Sequence, residues 1–227
     1  MRICDRTPVC ATVLVCVKTH RGGHVIDQEL SLTDRRRQAV RLDIAAAAAR
    51  LFLDRGFDAT SVDDIARAAG ISVRTFYRHC EAKEDTLTPI VIAGIRDFVG
   101  YLAARPADEP VETAVHAAFV EAFRQDRYAH IVPTRELFVL LTSVPGIRAR
   151  WMVAANDLAD ELRPVIGARA GVDPTSLEAR LLSHTLIGAL TVTLEHWVTC
   201  DPDDPSGPVN APSLAASALS VIRFERS

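Results

Sequence analysis

From residue 33 onward the apolar positions of the chain repeat with the period of a helix. Ile44, Ala47, Ala48, Leu51 and Phe52 recur at i, i+3, i+4, i+7 and i+8, which is one apolar helix face. Thr33 is placed to cap this helix, and Asp34 suits its positive end. Gly56 ends it as a left-handed cap. A short second helix follows, opened by a capping box in which Ser61 accepts from the backbone N–H of Asp64 and Asp64 reaches back. Its apolar face is Val62, Ile65, Ala66 and Ala69, and Gly70 stops it. Ser72 then caps a third short helix, "VRTFYRHC", with Val73, Phe76 and Cys80 on one face. Longer helices are predicted near 84–104, 110–129, 134–143, 147–169, 174–199 and 211–225, separated by Pro- and Gly-rich junctions such as "GVDP" and "DPDDPSGP". No long run alternates with period two, so the fold class is all-α.

Composition agrees with this reading. The 227 residues are 48% hydrophobic and 24% charged, enough to bury a core and stay soluble. The net charge of −3 gives no hint of nucleic acid, but its distribution does. Residues 33–83 hold ten Lys/Arg against seven Asp/Glu, whereas residues 84–227 hold twelve against nineteen. A mildly basic block ahead of an acidic body suits a polyanion-binding module joined to a second unit. The five cysteines are odd in number and form no CxxC pair, so the chain is expected in a reducing cytoplasm without a disulfide framework or a metal site. The apolar run "PVCATVLVCV" is too short to span a bilayer, so no membrane partner is expected. Residues 1–30 read as a disordered leader.

Two short helices joined by a Gly-containing turn, resting on an amphipathic first helix, form the helix-turn-helix pattern. In that pattern the second helix of the pair enters the major groove. With Val73, Phe76 and Cys80 facing inward, Arg74, Thr75, Arg78 and His79 face outward. Arginine can bind guanine O6 and N7 with two hydrogen bonds, and threonine can touch a thymine methyl. Tyr77 on the flank can donate to a phosphate. Thr60 and Ser61, with free N–H groups at the second helix's start, can hold another, and Lys83 a third. Ser72 and Val73, at the start of the reading helix, complete the expected DNA-binding set.

The stretch "IAAAAARLFLDRGFDATSVDDIARAAGISVRTFYRHCEAKEDTL" resembles the N-terminal domain of TetR-family transcriptional regulators, the likeness covering roughly residues 38–98. Two departures are Cys80, where the family places a large aromatic, and "CEAKED", which lacks the usual proline. The resemblance implies an all-helical homodimer. A three-helix DNA-binding domain at 33–87, with motif helices at 61–80, precedes a ligand-binding and dimerisation domain at 88–227. It further implies an operator duplex as partner and an unknown small-molecule inducer that releases it.

The body offers weaker signals. His116, Phe119, Phe123, Phe138, Leu141, Trp151, Met152 and His184 are the residues expected to line an internal, hydrophobic ligand pocket, with Phe98 on another helix expected to surround it. Leu177, Leu181, Leu182, Leu186, Leu190 and Leu194 recur at helical intervals and, with "PSLAASALSVIRFE", suit a dimer interface or the protein's own core. Two other classes compete with a ligand-responsive repressor. A small enzyme or carrier is disfavoured because no GxSxG, HExxH or Gly-rich phosphate loop occurs, so no catalytic residue and no cofactor are expected. A constitutive architectural protein is disfavoured by the long acidic, apolar body, which DNA binding does not need.

Overall fold

A computed structural model describes residues 32–124, 128–201 and 210–221. The expected leader lies outside the described residues, as do most of "DPDDPSGP" and the last turn of the expected final helix. The described residues form nine α-helices and no strand. They are α1 (Leu32–Arg55), α2 (Val62–Ala68), α3 (Val73–His79), α4 (Thr88–Ala103), α5 (Val111–Arg124), α6 (Thr134–Ser143), α7 (Pro145–Ala170), α8 (Leu177–Trp197) and α9 (Ala211–Val221). A single 3-10 turn, Lys83–Asp85, precedes α4.

The first three helices pack around Ile44, Ala48, Phe52, Ile65 and Phe76, all essentially excluded from water. Local chemistry sets their ends. Ser61 Oγ accepts from the Asp64 N–H at 3.1 Å, and the Ser61 N–H donates to Asp64 Oδ2 at 3.1 Å. The Ser61 hydroxyl also donates to Asp64 Oδ2 at 2.7 Å, and this bond, followed by the one from the Ser61 N–H, holds the Asp64 carboxyl below the usual carboxylate range. Ser72 Oγ accepts from the Thr75 N–H at 3.1 Å and starts α3. Gly56 and Gly70 take φ of 87° and 67°, the left-handed region that glycine enters without a Cβ penalty. Cys80 is buried at the end of α3. Burial, with Asp85 adding to it, pushes its thiol up to about 11, so it packs as a small neutral apolar group.

Several boundaries differ from the expectation by a few residues, among them the end of the helix expected to reach 129, where residues 128–130 form a turn, and three have local reasons. α1 begins at Leu32, so Thr33 lies within the first turn instead of capping it. α8 begins at Leu177 and not near 174, because Asp173 Oδ1 accepts from the Thr175 N–H at 2.7 Å and closes a turn, leaving Ser176 to cap the Ala179 N–H. α4 begins at Thr88 because the 3-10 turn takes the residues before it.

In the body, α7 and α8 form the most extensive helix pair, with α4 and α5 packed on one side and α9 lying against α5 and α8. Residues Lys83–Ala103 are long and apolar enough to cross a membrane by length and composition. In this fold Ile90, Ala93, Phe98 and Leu102 point from α4 into the protein core. α6 and α7 meet at a 106° bend through Val144 alone. Arg169 of α7 donates to the Leu102 and Arg105 carbonyls at 3.1 and 2.9 Å and so caps the C-terminal end of α4.

Candidate DNA-reading helix and apolar cavity

α3 is only seven residues long, yet its orientation is fixed. Phe76 is fully buried and Val73 packs partly against the core. The opposite side leaves Arg74, Tyr77 and Arg78 exposed, Tyr77 at 55%. The Tyr77 ring meets Phe76 edge to face at 5.4 Å, which steadies the phenol beside the two guanidinium groups. Thr75 is half-buried and its Oγ1 lies 3.0 Å from Ser72 Oγ. His79 is half-buried too, with Nδ1 buried and without a hydrogen-bond partner. Burial, and then the positive charges of Arg78, Arg41 and Arg37, hold its imidazole below the ordinary value. His79 therefore sits toward the basic first turns of α1 instead of projecting freely with Arg74 and Arg78.

Three residues expected at phosphates have other partners. Thr60 is buried, its hydroxyl donates to the Gly56 carbonyl at 2.8 Å, and its N–H donates to the Phe57 carbonyl at 3.2 Å. The Ser61 N–H, expected to be free, belongs to the capping box, although the residue itself is exposed. The Lys83 ammonium donates to the carbonyls of Phe57 and Thr60 at 2.7 and 2.9 Å and lies 4.0 Å from the centroid of the Phe57 ring. Thr60 and Lys83 thus brace the α1–α2 turn from inside.

The second feature is an apolar cavity of about 160 Å³ among α4, α5, α6, α7 and α8. Phe119, Phe123, Phe138, Leu141 and Trp151, all expected in a pocket, line it. Their rings form a connected cluster. Phe119 and Phe123 are 4.8 Å apart, the Phe123 and Phe138 rings lie parallel at 6.0 Å, and Phe138 meets Trp151 edge to face at 5.8 Å. Trp197 closes the cluster behind Phe123 and Phe138. Arg135 fixes Trp197 in turn, lying 5.2 Å from its ring and donating to the Trp197 and Val198 carbonyls at the end of α8. Three expected pocket residues are elsewhere. His116 Nε2 is 3.2 Å from the Pro212 carbonyl, joining α5 to α9. Met152 packs partly against the core but is not on the cavity wall. His184 Nδ1 is 3.0 Å from the Arg180 carbonyl of its own helix. Phe98, also expected near the pocket, lines it from α4, but the sequence does not single out the rest of the α4 wall (Ile90, Val91, Gly94 and Ile95) or the α8 wall (Ile187, Leu190, Thr191 and Leu194). Their apolar periodicity marks a buried face without saying whether a helix or a void meets it.

The leucine series of α8 divides between two faces. Leu186, Leu190 and Leu194 are buried and Leu182 half-buried, while Leu177 and Leu181 are 68% and 57% exposed. Leu177, Leu181, Thr185, Gly188 and Val192 form one exposed stripe at i, i+4, i+8, i+11 and i+15, with Val192 63% exposed. On neighbouring α9, Ser213, Ala216, Ser217 and Ser220 form an exposed stripe of small residues.

Comparison with known proteins places this geometry. Residues 44–87 match the family model of bacterial regulatory proteins, tetR family, and residues 109–220 match the MftR C-terminal domain model. The chain is 33% identical over 193 residues to the transcriptional repressor KstR2 of Mycolicibacterium smegmatis, covering 80% of this chain and 88% of that protein. It is 26% identical over 168 residues to MftR of Mycobacterium tuberculosis, a putative mycofactocin biosynthesis regulator, covering 74% of this chain and 84% of that protein. It is 29% identical over 147 residues to the regulator TcmR of Streptomyces glaucescens, spanning 63% of this chain and 65% of that protein. Among solved structures, the fatty acid degradation regulator FadR of Bacillus halodurans shares the fold, with a TM-score of 0.54 at 19% identity over 80% of this chain and 93% of that one. The chain belongs to the TetR family of bacterial transcriptional regulators.

Proposed function

We propose that this chain is a homodimeric, cytoplasmic repressor that binds an operator duplex through α3 and leaves it when a small hydrophobic molecule enters the body. The observation that carries the reading is the exposed Arg74–Tyr77–Arg78 face on a short helix held rigidly from behind by Phe76. Arg74 and Arg78 lie one turn apart and read guanine edges. Tyr77, Ser61, Ser72 and Thr75 set the helix against phosphates, and His79 lies beside the backbone with Arg37 and Arg41. Residues 33–87 act as the reading head and residues 88–227 as the sensing and dimerising body.

The exposed stripe of α8 with the small-residue stripe of α9 supports a dimer, because large apolar side chains so exposed in a row suit a self-complementary contact. The aromatic cavity supports an apolar ligand. Its size matches voids that take a benzene-sized group without rearrangement, so a larger ligand must part the helices around it. Such parting changes the separation of the two reading heads in the dimer. The test is a gel shift on the DNA upstream of the chain's own reading frame, followed by a screen of apolar compounds for release. A discrete complex that a compound dissolves supports the reading; a complex that no cavity-binding compound alters leaves a DNA-binding protein without an inducer.

A further inference from the structure

The apolar cavity and the base of the reading head share a wall. Trp151, 6% exposed, lines the cavity, and with Val91 and Leu141 it also bounds a void of about 10 Å³ beneath the start of α4. That void is at the lower limit of what one water requires. Thr88, on its wall, has a buried hydroxyl with no hydrogen-bond partner, so packing beside Trp151 is incomplete on the reading-head side as well.

The residue before Trp151 is tied to the reading head directly. Arg150 Nε donates to Asp85 Oδ1 at 2.7 Å, and Asp85 Oδ2 accepts from the Ala82 N–H at 2.9 Å. At the α6–α7 bend, a Cβ on Gly146 would lie 2.5 Å from Glu84 Cγ, so that corner also rests on the 3-10 turn. The neighbouring Lys83 holds the Phe57 and Thr60 carbonyls. An unbroken set of contacts therefore runs from the cavity wall through the first turns of α7 and the Lys83–Asp85 turn to the α1–α2 turn.

We propose that Trp151 and the Arg150–Asp85 ion pair couple occupancy of the cavity to the orientation of the reading head. This rests on the regulator reading above. An occupant that displaces Trp151 shifts the start of α7, and Arg150 carries the Lys83–Asp85 turn, and with it α1 to α3, to a new position. A ligand shifts such an equilibrium only by favouring one arrangement over the other, and the shared wall supplies that difference. Arg150 is half exposed, so its ion pair contributes little to stability. It acts as a positioning residue.

The test uses a built-in occupant. Gly94 lines the cavity, and a Cβ there meets nothing within 4 Å. Gly94→Phe, or Gly94→Leu where the larger ring prevents folding, places an apolar group at the cavity. Affinity for a labelled duplex of the upstream DNA is measured by anisotropy for the unmodified chain, the Gly94 variant, Arg150→Gln and the double variant, with melting curves to confirm folding. The filled variant should lose at least about tenfold in affinity, and the same substitution on Arg150→Gln should lose less than about twofold. In a Trp197→Phe chain, Trp151 is the one remaining tryptophan, and its emission should change when DNA saturates the protein but not when Arg150→Gln is added. Equal losses in both backgrounds, or an emission change that survives Arg150→Gln, overturn the coupling while leaving the regulator reading intact. Failure of the unmodified chain to bind any duplex overturns both.

Discussion

The Lys83 ammonium lies 2.7 Å from the Phe57 carbonyl oxygen and 4.0 Å from the centroid of the same residue's ring, so one cation holds both the backbone and the side chain of the α1–α2 turn. A lysine used in this way is a structural brace. Lys83→Met should destabilise the protein by roughly 1.5–3 kcal/mol, as expected for loss of hydrogen bonds from a charged donor. The salt dependence of DNA binding should stay unchanged, because no phosphate contact is lost. Chemical denaturation and a salt titration of binding check the two halves separately.

Arg74 and Arg78 should behave in the opposite way. Each substitution to alanine should leave the melting curve nearly unchanged, since both side chains are exposed. Each should cost about 1–3 kcal/mol of operator binding and relax sequence preference at one position. Tyr77→Phe should weaken binding to all sequences alike. Competition between operator and random duplexes separates these outcomes.

His79 should make stability depend on pH. Burial, followed by Arg78, Arg41 and Arg37, holds its folded value below the ordinary 6.5. The unfolded chain therefore binds this proton at a higher pH than the folded one, and stability falls as pH drops through 6.5. Above that value both states hold neutral imidazole and the contribution is constant. Melting temperatures of the unmodified chain and His79→Gln, measured from pH 8 down to about 5.5, should show the unmodified chain losing more as the pH falls.

The exposed stripe of α8 gives a test of assembly. Leu181→Asp puts a charge within that stripe without touching the core, where Leu186 and Leu190 lie. Sedimentation should show the unmodified chain as a dimer and the variant as a folded monomer with much weaker operator binding. A variant that remains dimeric would move the interface to another face.

The three-helix unit was legible in the sequence because its signals are local. The Ser61–Asp64 capping box, the Ser72 cap and the Gly70 stop act across three or four residues, and the structure has all of them. What the sequence hid depends on distant pairs. Lys83 reads as a free basic residue until Phe57 and Thr60, 26 and 23 positions earlier, are brought to it. His116 reads as a polar group for a pocket until Pro212, 96 positions later, meets it. Periodicity identifies Phe119 and Phe123 as inward-facing. It does not separate Leu177 and Leu181, which face solvent, from Leu186, which faces the core.

Whether α3 reads DNA is decided by a salt titration of binding. Purified protein is titrated onto the duplex upstream of its own reading frame, with random DNA as competitor. A discrete complex should survive the competitor, the logarithm of its affinity should fall linearly against the logarithm of salt concentration, and Arg74→Ala should lose the preference. Binding that is absent at low salt, or that Arg74→Ala and Arg78→Ala leave unchanged in strength and preference, would mean that α3 is not the reading helix.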